Sequence, residues 1–185
     1  MKLRKVKLIA LIGFFSALIA AAGLAADSKG LKKTTNNTVV DGVVRPDEYS
    51  YSREFKDSTL HVNWSGGKVY IALTAKTEGW VGVGYGSKMM NNSYILIGYM
   101  DRGTPVFKEQ VGMGHRHTDT DTQYVQSFEM REESGNTTLE MALDENDIIQ
   151  SGQKSIDFII AYGKKDSFSQ YHGGERTGFS VSIVN

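Results

Sequence analysis

The segment GHRHTDTDT, residues 114–122, brings together side chains that can bind a metal ion. His115 and His117 are two positions apart, so on an extended segment their imidazoles would point to the same side, and Asp119 and Asp121 continue that period. Two imidazoles and a carboxylate suit zinc or copper. The same composition is also typical of a solvated loop between strands, since Thr and Asp favour turns. The pattern leaves both interpretations open, a small separate metal site or a polar loop.

A second pair of ligand types lies in two loops that are far apart in the chain. Met89 and Met90 follow a glycine-rich apolar run and are flanked by polar residues, whereas methionine normally fills gaps in a core. His172 lies in a Gly-flanked polar loop before the last apolar run. A thioether and a neutral imidazole are the axial pair that holds a low-spin haem iron and raises its reduction potential. The alternative is a solvated histidine and an ordinary gap-filling methionine.

Other kinds of chemistry lack their residues. The chain contains no cysteine, which excludes disulfides, thiol nucleophiles, iron–sulfur clusters and haem attached through Cys-x-x-Cys-His. It has no Gly-x-Ser-x-Gly elbow. The glycines at positions 82, 84 and 86 lie within a strand-like run and do not open a helix, so a dinucleotide-binding loop fails its context. Acidic and basic residues balance at 21 each, and no excess positive charge favours a nucleic acid partner.

Residues 1–25 have the layout of a signal peptide, with a basic start, an apolar middle and a small-residue end. If uncleaved, this segment would serve as a membrane anchor, because its apolar run approaches the ~20 residues that span a bilayer. In either case we expect the rest of the protein outside the cytoplasm, in a periplasmic, secreted or membrane-anchored form. Residues 26–38 are polar without periodicity and predict a flexible lead-in. Residues 39–185 have the length of one domain.

Short runs that alternate apolar and polar residues fill the chain from residue 39 onwards. Residues 60–64 and 69–73 flank a Ser-Gly-Gly turn and predict a hairpin. Further runs span residues 80–85, 94–100, 106–111, 123–131, 138–143, 156–162 and 179–184, and only residues 144–150 resemble a helical turn. About nine or more short strands separated by turn signals predict an antiparallel all-β sandwich.

Four segments together resemble the DOMON family, which includes the cytochrome domain of cellobiose dehydrogenase. They are DGVVRPDEY, GKVYIALTAKTEGWVGVGYG, MMNNSYILIGYM and AYGKKDSFSQYHGGERTGF. The resemblance extends over residues 39–184. It implies an immunoglobulin-like β-sandwich that binds haem b or, in some branches, a sugar.

The resemblance also implies site residues. In haem-binding members a Met and a His at these two positions ligate the iron, which implies Met90 and His172 here. Met89 is the alternate, because a one-residue shift of the loop would exchange the two methionines. Related sequences often carry Asp at the position of Tyr94, so the resemblance implies nothing about hydrogen bonding around the Met.

Without Cys-x-x-Cys-His, such a haem would be non-covalent, held by axial bonds and apolar packing. Arg176, four residues after His172, could pair with a propionate or could be a plain surface arginine. Candidate pocket walls, each of which could equally belong to an ordinary core, are Trp80, Tyr85, Tyr99 and Phe168.

Two axial protein ligands would leave the iron no open position for oxygen or peroxide. We therefore expect one-electron transfer by a monomer without an active site of its own, with a redox partner protein or a membrane electron-transfer system as its partner. The alternative function is a carbohydrate-binding sandwich without haem, for which Trp64 or Tyr171 could provide an aromatic platform.

Overall fold

The computed structural model describes residues 30–184, and within that range the chain forms twelve β-strands and one short α-helix. In chain order the elements are β1 Lys33–Thr34, β2 Tyr51–Phe55, β3 Ser58–Ser65, β4 Lys68–Ala75, β5 Val81–Tyr85, β6 Tyr94–Asp101, β7 Thr104–Met113, β8 Arg116–Asp119, β9 Val125–Glu133, β10 Asn136–Asp144, α1 Glu145–Ile148, β11 Ser155–Tyr162 and β12 Arg176–Ser182. The runs predicted as strands do not include β1, β2 or β8.

The strands form two six-stranded sheets within the described residues. The first has the order β1-β3-β4-β10-β9, and β2 pairs with β3 beyond the end of β1. The second has the order β12-β11-β5-β6-β7-β8. Strand β1 runs parallel to β3, and the other strand pairs are antiparallel. The prediction of an all-β sandwich is confirmed.

Apolar residues at every second position build the core between the two sheets. Along β11, Ile156, Phe158, Ile160 and Tyr162 are buried, whereas the residues between them are only partly buried. This is the alternation expected of a strand that packs on a core with one face. The predicted hairpin between β3 and β4 is also present, and its turn glycines have φ angles of 58° and 80°, which L side chains adopt at a cost.

Residues 30–38, which belong to the predicted lead-in, make backbone and side-chain contacts with the sandwich. The Leu31 side chain is 0% exposed, and its backbone bonds to Ser182 and Val184 at 2.8 Å each. Strand β1 extends the first sheet, and Thr38 is buried. A polar segment without periodicity is ordered here through backbone pairing and one anchoring side chain. Residues 26–29 and the signal peptide predicted at residues 1–25 lie outside the described residues.

A buried carboxylate holds the loop that follows β1. Glu140 on β10 is 0% exposed, and its Oε2 accepts hydrogen bonds from the backbone N–H groups of Asp41, Gly42 and Val43 at 2.7–3.1 Å. Its Oε1 accepts from the Tyr49 hydroxyl at 2.6 Å. The loop thereby covers part of the outer face of the first sheet. It does not cover the outer face of the second sheet.

Within residues 30–184 no helix is long and apolar enough to cross a membrane.

Candidate functional site

The outer face of the second sheet forms the floor of a cleft with a volume of about 1210 Å³. Ligand pockets for small molecules measure roughly 300–1,000 Å³, so there is room for a large planar group. One row of cross-strand partners runs across this floor, and its members are Gly178, Ile159, Gly84, Ile95 and Gln110. The next row consists of Arg176, Ala161, Gly82 and Ile97. The two glycines of β5 keep the middle of the floor flat and apolar.

The loop between β5 and β6, which carries Met89 and Met90, lies directly on one end of this floor. A Cβ atom on Gly112 of β7 would overlap the carbonyl oxygen of Met90, and one on Gly178 would overlap that of Lys88. The backbone also pairs here, since Asn92 N–H donates to Gly112 O at 3.0 Å and Gly112 N–H donates to Ser93 O at 2.9 Å. Two glycines on different strands therefore fix the height of the loop above the sheet.

The two methionines have different surroundings. Met89 is 69% exposed, whereas Met90 is half-buried, lines the cleft and packs against the cluster of Trp80, Ile95 and Ile97. The exposed Met89 side chain lies at the rim. Met90 is therefore the better placed of the two for a ligand in the cleft.

The loop between β11 and β12 carries His172 and closes the other end. It starts beside Trp80, where the Gly163 N–H donates to Trp80 O at 2.9 Å and a Cβ on Gly163 would overlap Nε1 of the indole ring. The Thr77 hydroxyl donates to Gly163 O at 2.6 Å. The ring of His172 meets the Trp80 ring edge to face at 6.4 Å between centroids. Tight backbone packing thus sets the position of the imidazole.

The surroundings of His172 make its Nε2 a lone-pair donor. The side chain is 9% exposed, and its Nδ1 is 2.8 Å from the carbonyl oxygen of Gly173. A carbonyl only accepts, so Nδ1 carries the proton and Nε2 is left with a lone pair. Burial lowers the pKa of His172, and the Arg176 guanidinium lowers it further. A neutral imidazole held in one tautomer is the form that binds metals.

The polar lining of the cleft is positively charged. Its charged side chains are Lys88, Arg116 and Arg176, and no carboxylate lines it among the described residues. Arg176 Nη1 lies 3.4 Å from His172 Nε2, a long contact that leaves that lone pair poorly satisfied. Two buried polar atoms of lining residues, Trp80 Nε1 and Gln170 Oε1, have no hydrogen-bond partner within the described structure. The cleft suits a large apolar group that also carries negative charge.

The other predicted wall residues are placed differently. Tyr85 does not line the cleft, because the pleat puts residues 80, 82 and 84 on the outer face and turns Tyr85 into the core between the sheets. Phe168 lines the cleft, and Tyr99 packs against Phe168 at 4.8 Å between ring centroids. Trp64 lies on the first sheet, where its Nε1 donates to Glu145 at 2.5 Å. Tyr171 is 70% exposed at the rim of the cleft.

The residues predicted for a separate metal site lie on β8 and in the turn before it. His115 is exposed in the turn between β7 and β8, and His117 is half-buried on β8. Asp119 accepts from Lys108 at 2.7 Å and from Gln110 at 2.5 Å. Among residues 30–184, no group of three or more His, Asp or Glu side chains is arranged to hold a metal ion. His115 and His117 both line the same cleft as Met90 and His172.

Sequence reasoning missed the residues that shape the cleft from neighbouring strands, namely Lys88, Gln110, Gly112, Arg116 and Gly178. Gln110 and Gly112 follow the period of two along β7, but nothing in a single sequence tells which residue of another segment lies above them. The glycines carried a usable signal, since Gly in a strand interior often marks the close approach of another backbone.

Comparison with known proteins gives a family profile and several folds. Residues 56–163, more than half of the chain, match the profile of the DOMON domain. The cytochrome domain of Myriococcum thermophilum cellobiose dehydrogenase superposes with a TM-score of 0.59 at 12% identity, over 80% of this chain and 90% of that one. The cytochrome b domain of pyranose dehydrogenase from Coprinopsis cinerea gives a TM-score of 0.51 at 12% identity, over 68% and 76%. At such identities the likeness concerns the fold alone.

A family 9 carbohydrate-binding module from Caldicellulosiruptor kristjanssonii, in complex with cellotriose, reaches a TM-score of 0.47 at 9% identity, over 82% of each chain. That score is too low to support an argument. No curated protein matches the sequence.

Proposed function

From the premise that this chain belongs to the DOMON domain family, we propose that its cleft binds haem b with Met90 and His172 as the axial ligands. The observation that carries the proposal is that these two side chains, from loops more than 80 residues apart in sequence, line the same cleft. Methionine and histidine are the axial pair of cytochromes with raised reduction potentials. The two cytochrome domains share the fold and support haem as the ligand, whereas the choice of Met90 and His172 rests on their place in the cleft.

The donor atoms fit an iron ligand set. Met90 is half-buried, whereas the alternate ligand Met89 is largely exposed at the rim of the cleft. His172 keeps its proton on Nδ1 through Gly173, which leaves Nε2 for the metal. A backbone carbonyl that holds the second ring nitrogen is the usual support of a metal-bound histidine.

The rest of the cleft fits a porphyrin with propionates. Its floor is made of glycine, alanine and isoleucine, against which a flat apolar ring can lie. Arg176 and the other two cations of the lining match carboxylates, and Arg176 can bind a propionate with two parallel hydrogen bonds. Trp80 and Phe168 provide the aromatic walls.

The role that follows is one-electron transfer. Haem bound between two protein ligands supplies a one-electron couple, and the protein sets its potential and excludes water from it. Met90 and His172 would hold the iron, and the loops that carry them are fixed on the sheet by backbone contacts. The partner is a redox protein or a membrane electron-transfer system outside the cytoplasm, and the domain acts as a relay for it.

The experiment is a visible spectrum of the purified protein, reconstituted with haemin where necessary, in the oxidised and reduced states. We expect low-spin bands that sharpen on reduction. The His172→Ala variant should lose them, and Met90→Ala should lose the ferric charge-transfer band that marks sulfur ligation. Met89→Ala is the matched control, since it removes the same side chain one position away, and its spectrum should match that of the wild type.

A folded protein that stays colourless after reconstitution would refute the proposal. It would favour the alternative of a carbohydrate-binding module, for which the exposed Tyr171 at the cleft rim offers a platform. Calorimetric titration with a cello-oligosaccharide would then test that alternative, with Tyr171→Ala as the variant expected to lose binding.

A further inference from the structure

A further half-buried ligand-type side chain, besides Met90, lies at the Met90 end of the cleft. His117 on β8 is the cross-strand partner of Gly112, the glycine on which the Met90 backbone rests. His172 lies at the opposite end, beside Trp80, where β5 begins. An axial ligand opposite His172 has to come from the Met90 end, and His117 is the half-buried imidazole found there.

A chain of hydrogen bonds holds His117 in one tautomer. Its Nδ1 bonds to the Oε1 of Gln110, which is buried. The amide nitrogen of Gln110 donates to Asp119 Oδ1 at 2.5 Å, and Asp119 Oδ2 accepts from Lys108 Nζ at 2.7 Å. Because the side-chain nitrogen of Gln110 donates to the Asp119 carboxylate, the side-chain oxygen of Gln110 faces His117. That oxygen accepts a hydrogen bond from the Nδ1–H of His117.

The tautomer leaves the Nε2 lone pair of His117 free. Burial lowers the pKa of His117, although Asp119 acts in the other direction. His172 has the same arrangement, with Nδ1 held by an oxygen acceptor. The cleft therefore contains two imidazoles, one at each end, whose Nδ1 donates to an oxygen and whose Nε2 carries the lone pair. Tethering of the second ring nitrogen is characteristic of metal-binding histidines.

We propose that His117 is a reserve axial ligand of the cleft, which binds the iron in the place of Met90 whenever the thioether is not bound. The inference rests on the proposed function and adds a residue to it. In the exchange the sulfur lone pair leaves the iron and the Nε2 lone pair of His117 replaces it, without oxidation or reduction. Since thioether ligation raises the potential of a haem, the exchange would lower it.

The test compares three variants reconstituted with haemin: Met90→Ala, Met90→Ala with His117→Ala, and Met90→Ala with His115→Ala. The single variant should stay low-spin with the spectrum of two imidazole ligands and a reduction potential below that of the wild type. Loss of His117 as well should give a high-spin spectrum. His115 also lines the cleft, but it is exposed, and no hydrogen bond like that of His117 Nδ1 holds its ring. Its loss should therefore leave the low-spin spectrum of the single variant.

Added imidazole provides a second measurement that does not depend on comparing spectra alone. The variant without Met90 and His117 should bind it and regain a low-spin spectrum, which also shows that this protein is folded around its haem. Half-saturation of the Met90→Ala variant should need at least about tenfold more imidazole than half-saturation of the variant that lacks both Met90 and His117. In the single variant, added imidazole has to displace His117, an internal ligand at high effective concentration.

Two outcomes would overturn the inference, and they differ from a failure of the proposed function. One is a high-spin Met90→Ala variant, and the other is equal imidazole affinity with and without His117. In both cases the wild type still binds haem through Met90 and His172. A wild type that binds no haem would overturn the proposed function itself.

Discussion

Replacing Gly112 by alanine should displace the loop that carries Met90 without altering either proposed ligand. The new Cβ would overlap the carbonyl oxygen of Met90 and lie 2.7 Å from its carbonyl carbon. Carbon atoms pack at about 3.5–4.0 Å, so the loop would have to rise by roughly 1 Å. Overpacking of this kind costs about 1–3 kcal/mol. Two backbone hydrogen bonds between this loop and β7 would weaken as well, at about 1 kcal/mol each.

We therefore expect the free energy of unfolding of the haem-free Gly112→Ala protein to fall by about 2–4 kcal/mol. Urea unfolding followed by tryptophan fluorescence measures it. With haem, the sulfur-to-iron band should weaken or vanish, since the thioether is moved away.

The control is Gly174→Ala, in the loop that carries His172. Its Cβ would meet only the Nζ of Lys56, at 3.5 Å, so its effect on the unfolding free energy should stay within about 0.5 kcal/mol. If Gly112→Ala were as stable as this control and kept the sulfur band, the loop would not rest on β7 as described, and the argument that glycines set its height would be wrong.

Three further predictions concern stability, each measured by urea unfolding. Burial lowers the pKa of His61 to about 4, so between pH 4 and pH 6.5 the unfolded chain binds more protons than the folded one. Stability should fall by up to about 3 kcal/mol as the pH drops through that window, and His61→Gln should flatten the dependence. Glu140→Gln should lower the free energy of unfolding by about 2–4 kcal/mol, because the amide nitrogen that replaces one carboxylate oxygen cannot accept the hydrogen bonds made there. Glu54→Gln, at an exposed position, should leave the free energy of unfolding almost unchanged. Leu31→Ala should lower the free energy of unfolding by about 2–5 kcal/mol, whereas Lys32→Ala, at an exposed position, should change it negligibly. Equal values for the two variants would mean that the Leu31 side chain does not anchor residues 30–38 to the sandwich.

Where period-two patterning was strong, the sequence predicted the fold well. The runs that became β6, β10 and β11 differ from the observed strands by only one or two residues at their ends, because apolar runs bounded by turn residues are typical of strands. The segment of Leu31 carries no such pattern. It joins the fold through backbone pairing and a single buried side chain, which composition does not reveal.

The sequence predicted which side chains of the site could act as ligands, but not which residues surround them. The unusual position of Met90 and the Gly-flanked His172 identified two residues that line one cleft, although their ligation stays a proposal. The assignment of Tyr85 to the cleft ignored the pleat, which could have been read from Trp80, Gly82 and Gly84. The place of His117 beside Met90 depends on cross-strand register and on a loop that folds back onto the sheet, and neither can be read from one sequence.

The cleft lies outside the core, and this makes the ligand variants interpretable. The main apolar cluster is built from the inner faces of both sheets, whereas Met90 and His172 lie in loops above the outer face. Since side chains on opposite faces of a strand do not share neighbours, removing either ligand leaves the inner packing intact. The haem-free protein should therefore fold without its cofactor. A change in the spectrum of Met90→Ala or His172→Ala then reports ligation and not collapse of the sandwich.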